Sequence, residues 1–302
     1  MSREAAGLRH DMRRGALLML AATALFSLMA AGVKLLSERI PFTEIMFFRC
    51  ALAMPVVALI VLRRGERGIL RTRRPFGHLA RAATGTIAMG SSFFALSLLP
   101  LPEHTALSYT TPIFVTLLAI LFLGERVGIH RWAAVILGFA GILVIAAGQG
   151  AFAAGLAAAS TLGVLFAVNQ GLFSAITSLL VRNLSATERS ATIVMWQSIL
   201  MTLLTGLTLP FVWVTPGGMD WLLLLAVGLV GGIAQVLLTE AHASAQVSAT
   251  GPLAYTSMLW AMLLGFLLWG DLPSLSMLAG AGMIVAAGLY ILHRELRRSR
   301  RS

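Results

Sequence analysis

The chain contains two similar stretches that lie 146 residues apart, LSYTT at 107–111 and LAYTS at 253–257. Three further matches occur at nearly the same spacing: LGE at 123–125 over WGD at 269–271, KLL at 34–36 over SLL at 178–180, and TE at 43–44 over TE at 187–188. Four matches in the same order indicate an internal duplication. The fold is therefore expected to be built from one unit that occurs twice.

The composition is that of a membrane protein. Hydrophobic residues make up 58% of the 302 residues and charged residues only 12%, with a mean hydropathy of +0.87, whereas soluble domains carry about 25% charged residues. A helix crosses the hydrocarbon core of a bilayer with about 20 apolar residues, and backbone groups there must be bonded within the protein. Ten such runs are predicted as helices: 15–36, 43–62, 79–99, 105–123, 130–148, 155–181, 190–214, 219–240, 247–269 and 273–293.

The positive charges set the orientation. The net charge is +11, and with a cytoplasmic N-terminus all 23 basic residues except Lys34, Arg39 and Arg49 fall on the cytoplasmic side. This asymmetry follows the positive-inside rule and predicts both termini in the cytoplasm. The protein itself is expected in a bacterial inner membrane. The lipid bilayer is thus the predicted partner, and no nucleic-acid partner is expected because the sequence shows no docking motif on a basic face.

Each copy contains five spans, and because five is odd the second copy enters the membrane from the opposite side. The predicted fold is an all-α membrane protein with ten transmembrane helices in two inverted five-helix repeats. The predicted parts are a cytoplasmic segment 1–14, a first repeat 15–148, a second repeat 155–293 and a basic cytoplasmic tail 294–302.

An enzymatic function is not favoured by the motifs. Cys50 is the only cysteine, no Cys/His cluster has the spacing of a metal site, and the sequence lacks both the His-Glu-x-x-His and the Gly-x-Ser-x-Gly motif. No catalytic residue, metal or cofactor is predicted. A passive channel or scaffold would not require an inverted duplication, so a transporter is favoured over an intramembrane enzyme or a scaffold.

The first copy resembles a known family. PEHTAL at 102–107 leads into Pro112, LLAILFLGE follows at 117–125, and a helix containing Gly138 and Gly141 ends the unit. This pattern is similar to the repeat unit of the EamA family in the drug/metabolite transporter superfamily. The second copy departs from it, with Gly270-Asp271 for Gly-Glu and Met258 in place of the proline.

The resemblance implies ten helices around a central cavity, alternating access, and secondary transport of small organic molecules. Family members include exporters of amino acids and importers of riboflavin or S-adenosylmethionine. The residues predicted to line the cavity are aromatic or carry amides and have little charge, which suits a zwitterion or a neutral planar ring. Our hypothesis is export of amino acids or related compounds, and the alternative is uptake of riboflavin, S-adenosylmethionine or a similar metabolite. Oligomeric state stays open.

Nine residues are predicted to line the cavity. Tyr109 and Tyr255 are counterparts in the two copies, each followed by a threonine, and aromatic rings with nearby hydroxyls can hold a planar ligand. The other possibility for each residue is packing, because buried amides and hydroxyls also join helices. The candidates are Tyr109, Thr110, Tyr255, Thr256, Asn169, Gln235, Ser91, Phe94 and Trp260.

Charged and proline residues within the spans form a second group of candidates. Charges in a membrane are costly, so Lys34, Glu44 and Arg49 are predicted to form an ion-pair set near the outer interface. Alternatively, Glu44 or Lys34 is a proton-coupling group or a group that acts on a substrate carboxylate. Arg49 is also similar to an arginine that the family carries in its second helix. Pro112 and Pro252 are gating candidates, since proline bends a membrane helix. His104 is expected at the outer aqueous interface.

Overall fold

The computed structural model describes residues 12–63, 70–123, 129–150, 158–244 and 253–299. Within these ranges the regular structure is helical, without a strand, as the sequence predicts. The principal helices are α1 (Met12–Ser37), α2 (Phe42–Arg63), α3 (Pro75–Leu98), α4 (Leu101–Ser108), α5 (Thr111–Leu123), α6 (Ile129–Gly148), α7 (Ala159–Ser185), α8 (Ser190–Gly206), α9 (Leu209–Val212), α10 (Gly218–Ser244), α11 (Thr256–Trp269) and α12 (Leu275–Ser299).

Several of these helices are long and apolar enough to cross a membrane. Four meet the requirement outright: Arg13–Ser37, Phe42–Leu59, Ala159–Ser185 and Gly218–Ala241. Shorter apolar helices cover Trp132–Gly148, Thr192–Gly206, Thr256–Trp269 and Leu275–Ile291. The all-helical membrane fold is therefore confirmed, while the number of ten spans stays a prediction.

The predicted span 105–123 is not one bent helix. It consists of α4 and α5, separated by Tyr109 and Thr110. Pro112 is the second residue of α5, and because proline has no N–H it cannot bond the carbonyl of Ser108. The hydroxyl of Thr111 donates to that carbonyl instead, at 3.1 Å. The proline thus marks a helix break, where the sequence predicted a bend.

The second copy is interrupted at the corresponding position. Leu253 and Ala254 are helical, Tyr255 forms a turn, and α11 begins at Thr256. The hydroxyl of Thr256 donates to the carbonyl of Leu253 at 2.6 Å, so here too a side chain bonds a carbonyl at the break. Pro252, the other gating candidate, lies outside the described residues.

Helix α4 begins earlier than the sequence predicts. Its first residue is Leu101, between Pro100 at the cap and Pro102 in the first turn. Proline is favoured in the first turn because its missing N–H would have no partner there and its φ angle already suits a helix. The early start places Glu103 and His104 on a helix, in a segment that the sequence assigned to a loop.

The helices pair in a pattern that is unchanged when the two copies are exchanged. Helix α1 packs along α10, and its counterpart α7 packs along α3, the counterpart of α10. Two further contacts join a helix to its own counterpart, α2 with α8 and α6 with α12, and α4 contacts α11, which is the counterpart of α5. Helices that touch their own counterpart lie beside the axis that relates the copies. The contact between α2 and α8 and the contact between the corresponding spans α4–α5 and α11 therefore lie near this axis.

The contact between α6 and α12 depends on glycine. A Cβ on Gly141 would lie 2.6 Å from the carbonyl oxygen of Gly280, and a Cβ on Gly280 would lie 2.5 Å from the carbonyl oxygen of Gly141. Real Cβ atoms do not approach a carbonyl this closely, so the two backbones touch because neither residue has a side chain. Small residues allow such close packing in membrane helices.

Candidate functional site

The two helix breaks bring Tyr109 and Tyr255 together. Their ring centroids are 4.7 Å apart and the ring planes are inclined by 57°, a tilted geometry that aromatic pairs favour. The hydroxyl of Tyr109 donates to the carbonyl of Ala254 at 3.3 Å and also contacts the hydroxyl of Ser257. The hydroxyl of Tyr255 lies against Gly288 of α12, where a Cβ would collide with it. The pair therefore links the two copies at their helix breaks.

The neighbouring threonines pack against other helices. Thr110 is 0% exposed and lies against Gly171 of α7. The hydroxyl of Thr256 lies 3.0 Å from the hydroxyl of Thr23 in α1. In this structure Thr110 thus packs into the space beside Gly171, and its place in the cavity stays a prediction.

A polar cleft lies between α2, α8 and α10. The free volume of this cleft is about 30 Å³. Its polar lining consists of Arg49, Gln197, Ser198 and Gln235, and Cys50 and Gly231 also border it. The cleft joins Gln235, a predicted cavity residue, to Arg49, which was predicted for coupling or ion pairing.

Arg49 is unsatisfied in this cleft. Its Nε is buried and has no hydrogen-bond partner among the described residues. A buried donor without an acceptor costs about 1–3 kcal/mol, and more where the group is charged. A ligand carbonyl or carboxylate entering the cleft would remove that cost, and the amides of Gln197 and Gln235 could both donate to it and accept from it.

The mid-span amide of Asn169 joins two helices. Its Nδ2 donates to the hydroxyl of Ser91 in α3 at 2.8 Å, and Ser91 is only 4% exposed. The adjacent Gln170 accepts from the hydroxyl of Ser108 at 3.0 Å. These bonds match the packing interpretation, and Asn169 and Ser91 remain cavity candidates only if the α3–α7 contact opens during transport.

Two aromatic cavity candidates, Phe94 and Trp260, lie on α3 and α11. Phe94 stacks edge-on against Phe166 with ring centroids 4.6 Å apart and also contacts Phe42 at 5.5 Å. Trp260 has a buried Nε1 for which the described residues offer no acceptor. An indole N–H in this condition can donate to a ligand, so Trp260 remains a cavity candidate.

The ion-pair set predicted for Lys34, Glu44 and Arg49 does not form in this structure. Lys34 donates to the carbonyl of Leu99 at 2.7 Å, and Glu44 accepts from the backbone N–H of Val214 at 3.0 Å. Both partners are backbone groups on other segments, and hydrogen bonds to charged groups are stronger than those between neutral groups. The ion pair found nearby joins Arg39 to Asp220 at 3.2 Å.

The sequence analysis missed one buried polar group. Glu103 is 5% exposed and accepts from Nε2 of Gln149 at 3.2 Å, and His104 is 6% exposed and lies 3.0 Å from the hydroxyl of Ser92. The interface position predicted for His104 is therefore wrong. The sequence signal was the pair of prolines at 100 and 102, which start a helix here and were interpreted as a loop.

Glu44 and Glu188, counterparts in the two copies, make equivalent bonds at opposite ends of α2. Glu44, near the α1–α2 turn, bonds the N–H of Val214 before α10. Glu188, near the segment between α2 and α3, accepts from the N–H of Arg73 at 2.9 Å and from the hydroxyl of Thr72 at 2.8 Å, just before α3. Each carboxylate thus joins the start of one helix to the start of another, and we call these bonds the Glu44 latch and the Glu188 latch.

The two latches differ in exposure. Glu44 is 0% exposed, whereas Glu188 is half-buried and borders an open basin of about 1050 Å³ lined by Leu70, Arg71, Thr72, Arg73, Thr187, Arg189 and Thr192. The hydrogen bonds from Arg73 and Thr72 lower the pKa of the Glu188 carboxyl. The Glu44 carboxylate is therefore shielded from solvent, whereas the Glu188 carboxylate is accessible from the basin.

The Glu188 latch is expected to make stability acid-sensitive. Because its pKa is lowered in the folded protein, its contribution is present above the ordinary glutamate value of about 4.3 and is lost as the pH falls through the lowered value. Glu188→Gln should remove part of this dependence, measured as the change in unfolding temperature in detergent between about pH 3 and pH 7. Glu38→Gln, which changes an exposed carboxylate away from this latch, is the control; identical acid profiles for wild type and Glu188→Gln would contradict the expectation.

Comparison with known proteins finds the same duplicated unit. A model of the EamA-like transporter family matches the chain twice, at residues 13–147 and 161–293. A riboflavin transporter of Rhizobium johnstonii is 33% identical over 95% of this chain and 93% of that protein. A riboflavin transporter of Vibrio cholerae is 30% identical over 97% and 98%, and the pseudopaline exporter CntI of Pseudomonas aeruginosa is 30% identical over 91% and 95%.

The fold has also been seen in a crystal structure. That chain superimposes with a TM-score of 0.65 and covers 94% of the present chain and 97% of its own length. The sequence identity is 22%, so this likeness concerns the fold alone.

Proposed function

The chain belongs to the EamA-like transporter family and is a multi-pass membrane transporter of small metabolites; on that premise we propose that it takes up riboflavin or a similar flat heteroaromatic compound by alternating access. The observation that carries the substrate is the polar cleft around Arg49, which at about 30 Å³ must widen during the cycle to admit a ligand. Arg49 offers an unbonded donor between Gln197 and Gln235. An isoalloxazine ring presents two carbonyls and an N–H on one edge, which suit Arg49 and the two glutamine amides. Its flat π surface suits stacking on the tyrosine rings.

We propose ten spans in two inverted repeats, 15–148 and 155–293, with the segments 1–14 and 294–302 in the cytoplasm and the protein in the inner membrane. The symmetric helix pairing supports this arrangement. Equivalent latches at opposite ends of α2 support it independently, because an axis in the membrane plane carries one end of the bundle onto the other. In this orientation the basin beside Glu188 opens to the cytoplasm.

Export is the second candidate direction. It is favoured by the likeness to the pseudopaline exporter, which covers nearly the whole chain. Amino-acid export, our first hypothesis from the sequence, has the support of a cavity with few charges. Arg49 would then hold a substrate carboxylate in place of a ring carbonyl.

Counterflow in liposomes distinguishes these substrates. Purified protein is reconstituted with unlabelled riboflavin, an amino-acid mixture or S-adenosylmethionine inside, and entry of the labelled compound is followed. We expect riboflavin exchange well above that of protein-free liposomes. Exchange of amino acids without exchange of riboflavin would overturn the uptake proposal in favour of the first hypothesis.

Arg49→Ala should weaken substrate binding strongly. A hydrogen bond to a charged group contributes about 1.5–3 kcal/mol, which corresponds to an increase of roughly tenfold to hundredfold in the apparent KM for riboflavin. Arg39→Ala is the matched control, because the Arg39 side chain is 55% exposed and pairs with Asp220 away from the cleft. Equal KM values for the two variants would remove Arg49 from the site.

A further inference from the structure

Four titratable side chains meet beside the start of α4: Lys34, Glu103, His104 and Asp271. Lys34 is held by the carbonyl of Leu99, with its Nζ 5.1 Å from the centre of the Trp269 ring. Both Asp271 and Glu103 act on it electrostatically. Neither carboxylate comes within 4.0 Å of the ammonium, since the ion pair found in the described residues is the one between Arg39 and Asp220.

The charges in this cluster do not balance. One ammonium faces two carboxylates, and of the described residues Lys34 and Asp271 are the charged groups that act on Glu103. The remaining elements packed on α4 supply polar but uncharged groups, Ser92 from α3 and Gln149 after α6. Glu38, which also acts on Lys34, is exposed to solvent, where water screens its charge.

His104 does not supply the missing positive charge. Its Nε2 lies 3.0 Å from the hydroxyl of Ser92, and its buried Nδ1 has no partner in the described part of the chain. A protonated ring carries an N–H on both nitrogens, so the imidazolium would leave one donor buried without an acceptor. With a neutral ring, the cluster carries one uncompensated negative charge whenever both carboxylates are ionised.

An uncompensated charge in a buried site is costly, and such groups commonly take up a proton instead. Glu103 is the more deeply buried of the two carboxylates, at 5% exposure, whereas Asp271 is half-buried. The hydrogen-bond donors to the Glu103 carboxylate are neutral, the amide of Gln149 and its own backbone N–H. One proton on Glu103 makes the cluster electrically neutral.

We propose that Glu103 is the residue that carries a coupling proton, a role that rests on the proposed function of this protein as a secondary transporter. A proton from the outer solution binds a carboxylate oxygen of Glu103 when the Glu44 end is open, and it leaves to cytoplasmic water when the cycle exposes the same oxygen to the other side. Lys34 and Asp271 are positioning residues, since they set the charge that the proton must balance.

The test is accumulation of labelled riboflavin driven by a pH gradient in liposomes, with the membrane potential held at zero. With one proton per substrate, a gradient of one pH unit, acidic outside, supports about tenfold accumulation. Glu103→Gln has a permanently neutral side chain of the same shape, so we expect counterflow to persist while gradient-driven accumulation falls to none. Asp220→Asn, which alters a carboxylate at the same end of the bundle, should accumulate riboflavin as wild type does.

The possible outcomes are distinct. Full accumulation by Glu103→Gln would overturn the assignment. Wild-type protein that shows riboflavin counterflow but no accumulation driven by the pH gradient would also overturn it, although the transport function would stand. Absence of riboflavin counterflow in wild type would instead remove the proposed substrate.

A substrate-free measurement then decides on Glu103. The infrared band of a buried protonated carboxyl should be present in wild type and Asp220→Asn and reduced in Glu103→Gln; an unchanged band overturns the proposal. If Glu103→Gln does not fold, Glu103→Asp replaces it. This variant keeps a carboxyl and should still accumulate riboflavin, with a displaced pH dependence, and an unchanged pH dependence would count against Glu103.

Discussion

Tyr109→Ala and Tyr255→Ala should each lower riboflavin counterflow by roughly fivefold to hundredfold while leaving a folded protein. The two rings touch at the centre of the molecule, 4.7 Å between centroids, and aromatic stacking of a planar ligand on such a wall is worth about 1–3 kcal/mol per ring. Loss of either ring also disrupts the wall for its partner, so the two substitutions should not be additive. Counterflow rates and gel-filtration profiles in detergent measure the two properties separately.

Tyr290→Ala provides the matched control. Tyr290 is the third tyrosine of the chain and lies on α12 with 39% of its surface exposed. Its loss should leave counterflow close to the wild-type rate. If both central variants also transport normally, Tyr109 and Tyr255 serve only to pack the helix breaks against each other.

Gly280→Val should prevent the protein from folding stably. Its new Cβ would approach the carbonyl oxygen of Gly141 at 2.5 Å and a side-chain carbon of Ile145 at 2.6 Å, and neither the backbone nor a packed isoleucine can move away easily. Overpacking of this kind costs about 1–3 kcal/mol and occasionally more, so α6 and α12 must separate. We expect a lower unfolding temperature and aggregation on gel filtration, with Gly141→Val behaving in the same way.

Gly282→Val tests whether this effect comes from the contact or from the substitution itself. Gly282 lies on the same helix two residues later, and a Cβ there would meet no atom within 4 Å. Its variant should retain the wild-type unfolding temperature. Equal destabilisation at both positions would show that the close approach of the two backbones is unimportant.

The helices and the duplication were accessible from the sequence because they depend on local periodicity and composition. The apolar runs predicted the helices, and the matches at constant spacing predicted which residues are counterparts. Gly270 ends α11 with a left-handed φ of 71°, a conformation that glycine commonly adopts at helix ends. These features require only neighbouring residues, so a single sequence contains them.

The site was less accessible because it depends on contacts between remote segments. The sequence paired Tyr109 with Tyr255, but it could not show that the Tyr109 hydroxyl reaches Ala254 and Ser257. An amide such as Asn169 costs about the same whether it bonds a serine or a ligand, so sequence alone does not separate the two. Glu103 was missed for a different reason, since prolines favour both loops and helix starts.

Cys50 acquires a practical meaning from its place beside Arg49. It is the only cysteine in the chain and is 3% exposed on the border of the polar cleft. A thiol-specific label therefore reports on a single, known position without any engineered substitution. The rate at which a maleimide modifies Cys50 can be compared with and without riboflavin. This rate reports how often α2, α8 and α10 separate during turnover, so the native thiol is a probe of the frequency at which the cleft opens.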